Sequence, residues 1–75
     1  MNLSGARRPP EAVLAAASNR DERCEAQFYV GEWYLLRDAR IEAQTALRVA
    51  TDICRKDFSE YAGAVSELKR LGQLQ

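Results

Sequence analysis

The stretch Glu22–Arg37, ERCEAQFYVGEWYLLR, restricts the fold more than any other. Its Phe28, Tyr29, Val30, Trp33, Tyr34, Leu35 and Leu36 include four of the six aromatic residues of the chain. At about 100° per residue these side chains point to nearly every side of a helix, leaving Glu25 and Glu32 together on one edge and Gln27 opposite. A helix that is apolar all round needs neighbours on several flanks. Gly31, in its middle, costs about 1 kcal/mol relative to alanine, a loss offset if another helix presses against its backbone. The rest of the chain is therefore expected to supply helices, giving an all-α fold.

Breaks in the pattern place those helices at about 10–18, 21–37, 41–54 and 58–71. Residues 1–8 lack apolar periodicity and read as a flexible tail, leaving 9–75 as a single helical domain. Pro9 and Pro10 suit a first helical turn, where the missing N–H has no intrahelical partner, and Glu11 suits the positive end of the helix dipole. Asn19 with Glu22, or Asp21 alone, can cap the second helix. Asp38 marks a tight turn, since Asp tolerates the left-handed conformation. Ala43, Leu47, Ala50 and Cys54 form one stripe on the third helix. Asp57 with Glu60 reads as a capping box for the fourth, whose buried stripe is Phe58, Tyr61, Val65, Leu68 and Leu71, with Glu60, Glu67, Lys69 and Arg70 in water and Gly72 as the stop.

Composition narrows the functional classes. Eleven basic and eleven acidic residues cancel, so no electrostatic footprint for nucleic acid or an anionic membrane is visible. No apolar run is long enough to span a bilayer. Histidine is absent, which removes the usual general base and the commonest metal ligand, and two cysteines thirty residues apart cannot make a four-ligand zinc site. A non-enzymatic chain without metal or cofactor is expected. The compartment stays open: cytoplasmic if Met1 is the native start, with the cell envelope open if the chain is an excised domain.

The spacing of Val30, Gly31, Tyr34, Ala43, Leu47 and Ala50 resembles the signature of a tetratricopeptide repeat, a helical hairpin of about 34 residues, here over roughly 24–57 with partial repeats on either side. Small residues at Gly31, Ala43 and Ala50 permit close helix contact, and Val30, Tyr34 and Leu47 fill the space around them. Gln27, Asp38 and Arg55 depart from the pattern, where the family usually has tryptophan, glycine and proline. The resemblance implies a protein–protein interaction or assembly module that binds a peptide or helix, or another copy of itself, through a surface containing Glu25, Phe28, Glu32, Leu35 and Leu36, with Tyr29 beside them. Helical geometry independently gathers Glu25, Tyr29, Glu32 and Leu36 in one strip flanked by Phe28. The alternatives are that the first or last helix covers this strip, and that the chain is a closed four-helix structural or regulatory domain without a groove. Trp33 is expected to pack on the last helix, with a role at an interface as its alternative.

If Gly31 faces Leu47 in an antiparallel hairpin, Cys24 faces Cys54, since each cysteine lies seven residues farther from the turn. The pair would form a disulfide in an oxidising compartment and two small buried hydrophobes in a reducing one.

Overall fold

The computed structural model describes residues 8–72, which form four α-helices: α1 (Pro10–Ala16), α2 (Arg20–Leu36), α3 (Arg40–Ile53) and α4 (Ser59–Arg70). The tail expected over residues 1–8 lies outside the described residues except for Arg8. That residue is held: its backbone carbonyl accepts the Tyr29 hydroxyl at 3.1 Å and its Nη2 donates to the Ala12 carbonyl.

Most helix boundaries follow from local chemistry. Pro10 opens α1 and Glu11 lies in its first turn. Asn19 caps α2 by accepting the Glu22 N–H at 2.8 Å. The reciprocal bond is displaced by one residue, for the Glu22 carboxylate accepts both the N–H and the hydroxyl of Ser18, at 2.8 Å each. After α2, Asp38 takes φ 61° and donates its N–H to Leu35, while Ala39 donates to Tyr34. These are the two crossed bonds of a Schellman cap, with aspartate in the place usually held by glycine. Gly72 takes φ 80° at the end of α4, where its N–H reaches the Lys69 carbonyl. The start of α4 differs from expectation: Phe58 is its N-cap, without a side-chain cap, and Glu60 accepts a bond from Ser59 instead of completing a box with Asp57.

The apolar α2 has neighbours on three sides. It packs on α1, α3 and α4; α4 also packs on α3, whereas α1 touches α2 alone. The Cα atoms of the described residues span 40 × 28 × 16 Å. Between α2 and α3 the seam is made of small groups: Ala43, Leu47 and Ala50 are fully buried, Val30 and Gly31 are buried, and Tyr34 is half-buried. Cys24, Leu47, Ala50, Cys54, Ala64 and Leu68 form the core, with Phe28, Leu35, Ile53, Phe58, Tyr61 and Leu71 packed against it. On α4, Ala64 and not Val65 is the most deeply buried residue.

Cys24 and Cys54 are joined by a disulfide, with Cα atoms 4.8 Å apart. Next to it, Arg20 Nε donates to the Ile53 carbonyl at 2.8 Å, placing a cation at the negative end of α3. The end of the hairpin opposite the Asp38 turn is thus closed by a covalent bond and a charge-assisted hydrogen bond.

Candidate functional site

The strip of α2 singled out from sequence is divided between two depressions. Glu25 and Tyr29 line a shallow one of about 500 Å³ beside α1, with Arg8, Val13, Ala16, Ala17, Glu22 and Ala26. Glu32, Leu35 and Leu36 line a cleft of about 380 Å³ beside α4, with Asp38, Arg40, Glu67, Arg70 and Leu71. Phe28 lines neither and is half-buried, with its ring against Gly63 of α4. Leu36 is 85 % exposed and supplies the outermost apolar surface of the second cleft.

Trp33 does not face α4. It lies about 140° around α2 from Phe28, which does. The Arg37 guanidinium stacks 3.5 Å above the Trp33 ring, and Tyr34 meets it edge-on at 5.3 Å. Its indole N–H is buried without a hydrogen-bond partner among the described residues.

The cleft between α2 and α4 holds the most perturbed acid. Burial, then hydrogen bonding to Glu67, then the charge of Glu67 push the Glu32 carboxyl up to about 7, and Arg70 opposes them. Glu32 Oε2 is out of reach of water and has no hydrogen-bond partner among the described residues. Two carboxylates cannot bond to each other, so the contact with Glu67 forms only when one of them carries a proton. The Glu67 side chain is 19 % exposed and its Oε1 accepts Arg70 Nη1 at 2.9 Å. The expectation that Glu67 stays in water is therefore corrected: it is drawn inward beside Leu68, which is 1 % exposed. Glu22, by contrast, is held below the usual carboxylate range by the Ser18 N–H first and the Ser18 hydroxyl second.

Two contributors to this region were missed from sequence. Gly63 between Ala62 and Ala64 carries the same small-residue signal as Gly31, which could have marked α4 as the seat of an aromatic ring. Glu67 with Arg70 is an i,i+3 ion pair adjoining a buried leucine, a weaker signal because such pairs are ordinary on exposed helices.

A third depression is more apolar, lined by Leu14, Val30, Tyr34, Ile41, Ala46 and Val49 among others, where α1 and α3 lie on either side of α2 without touching. Ile41 is 71 % exposed at its rim. Among the described residues no group of three or more His, Cys, Asp or Glu is placed to hold a metal ion, and no helix is long and apolar enough to cross a membrane. No protein-family model, curated protein or solved structure matches the chain.

Proposed function

We propose that this chain is a non-enzymatic interaction or assembly module of tetratricopeptide-like design, which holds a peptide or helix, or another copy of itself, on the face shared by α2 and α4. The observation that carries the reading is the cleft in which Leu36 stands exposed beside Glu32 and Glu67. An apolar anchor next to carboxylates suits a helix or extended segment that offers aliphatic and basic side chains. Against a closed four-helix domain weighs the placement of α1, which packs on α2 alone and leaves both α3 and α4 without a fourth helix. Stacks of helical hairpins have such open flanks until a further repeat or a partner covers them.

Light scattering over a concentration series, together with amide shift mapping against basic amphipathic peptides, tests this reading. The expected result is self-association or peptide-dependent shifts centred on Leu36 and Glu32. Leu36→Asp should abolish them with helicity unchanged. A strict monomer whose cleft responds to neither concentration nor peptide would overturn the proposal.

A further inference from the structure

Glu32 of α2 and Glu67 of α4 face a common cleft whose walls include Leu35, Leu36 and Leu71. One oxygen of Glu67 is occupied by Arg70, whose side chain is 75 % exposed, so much of its charge is screened by water. Glu32 Oε2 has neither solvent nor, among the described residues, a hydrogen-bond partner. An ionised carboxylate loses the hydration of that oxygen and gains no donor for it in return, whereas a protonated one carries no charge and can donate to its neighbour. We infer that Glu32 and Glu67 share one proton across the α2–α4 interface, and that this proton is a latch tightening the C-terminal half of α4 on α2, a contact that weakens when the proton is lost.

The charged groups facing the pair are few. From α4 they are Glu67 itself and Arg70; from the α2–α3 turn and the start of α3, Asp38 and Arg40; α1 contributes none to this cleft. The nearby charges Glu32, Asp38 and Glu67 against Arg40 and Arg70 leave an excess of one negative charge when both glutamates are ionised, which favours retaining a proton. The direction of the pH effect follows. Glu32 in the folded chain keeps its proton up to about 7, against 4.5 for an unperturbed glutamate. The latch is therefore complete below pH 4.5 and is lost as pH rises from there through about 7.

The composition makes the effect easy to isolate. The chain has no histidine and both cysteines are bonded, so no other side chain ordinarily titrates between about pH 5.5 and 7.5. The latch uses the same two carboxyls as the proposed binding cleft, but it is read on the chain alone, so its failure leaves the binding reading to be judged by its own test. The test follows the side-chain carboxyl carbons of Glu32 and Glu67 by NMR across pH, together with the melting temperature.

The expected result is one step near pH 7 at the Glu32 carboxyl, with the melting temperature falling between pH 5.5 and 8. Glu67→Gln should lower the midpoint of Glu32 by more than one pH unit. Glu32→Gln, whose amide supplies a donor at every pH, should remove both the step and the slope of the melting curve. A Glu32 midpoint below pH 5.5 in the unaltered chain, or an unchanged slope in Glu32→Gln, would overturn the inference.

Discussion

Leu47 rests on the bare Cα of Gly31. A methyl carbon added to Gly31 would stand 2.5 Å from Leu47 Cδ2 and 2.7 Å from its Cγ, and Leu47 is wholly buried. The contact brings α2 and α3 together at the middle of the hairpin, and it explains why a glycine is tolerated inside a helix whose other positions favour helix formers.

The two mid-helix glycines should consequently respond differently to alanine. At Gly31 the crowding, about 1–3 kcal/mol for an overpacked core, exceeds the roughly 1 kcal/mol gained in helix propensity, because Leu47 has nowhere to go. Gly31→Ala should lose about 1–2 kcal/mol in urea denaturation. At Gly63 the added methyl would meet Cε1 and Cζ of Phe28 at 2.8 and 2.9 Å, but these atoms are the far end of a half-buried ring that can tilt away. Gly63→Ala should stay within about 1 kcal/mol of the unaltered chain. Equal losses at the two sites would show that the seam at Leu47 is looser than described.

Asp38 stands in the left-handed region at φ 61° and closes the C-terminus of α2. Glycine adopts that conformation without a Cβ penalty, and removing the carboxylate also relieves repulsion from the negative end of the helix dipole. Asp38→Gly should raise stability by about 1 kcal/mol and Asp38→Asn by about half of that. Denaturant midpoints at constant slope provide the measurement, and a loss of stability in Asp38→Gly would contradict the cap.

The Cys24–Cys54 bond closes a loop with a sequence separation of 30. On the chain-entropy model it stabilises the fold by about 3–4 kcal/mol, a large share of what so small a domain possesses. Replacing both cysteines by alanine should lower the thermal midpoint accordingly. Both residues are nearly inaccessible, at 1 % and 4 % exposure. A small thiol reductant should therefore react slowly under native conditions and much faster once denaturant opens the hairpin. Alkylation followed by mass spectrometry reads both rates, and equal rates would show that the end of the hairpin frays.

At low pH the N-terminus of α2 should weaken before the core does. The carboxyl of Glu22 is depressed in the folded chain by its bonds from Ser18, so its contribution is present above pH 4.5 and lost as pH falls through the lower folded value. This is the opposite sign to Glu32. The protection factor of the Ser18 amide, the intrinsic exchange rate at each pH divided by the observed one, should fall on acidification, whereas Glu22→Gln should show lower protection already at neutral pH and respond less to acid. A Ser18 protection factor indifferent to pH would remove Glu22 from the cap.

Phe28 and Leu36 mark the difference between a packed and an exposed apolar side chain on the same helix. Its ring lies against Gly63 and the core, so Phe28→Ser should lower stability by about 2–4 kcal/mol. Leu36→Ser, at a position that is 85 % exposed, should change stability by less than about 0.5 kcal/mol. Thermal melts of the two variants give a direct comparison; similar losses would mean that Leu36 is covered in solution by another molecule.

Local chemistry made much of this legible in advance. Proline at the head of α1, asparagine before α2, aspartate at the tight turn and glycine after α4 each act within a few residues of themselves, so the sequence positions carry the information. The facing of Cys24 and Cys54 was equally readable, because an antiparallel hairpin with Gly31 against Leu47 leaves them no other register. Asp57 failed as a cap because Phe58, which packs into the core, holds the N-cap position instead.

The sequence by itself determined that α2 must be surrounded, that α3 would meet it along a seam of alanines, and where the chain turns. Only the tertiary structure decided which flank each neighbour takes. A helix with apolar groups on nearly every side has no preferred rotation of its own, so its faces are assigned by what docks there. That assignment sent Phe28 to Gly63, left Trp33 beneath Arg37, and brought Glu32 to Glu67 across thirty-five residues of chain, a meeting of two acidic side chains that no local pattern encodes.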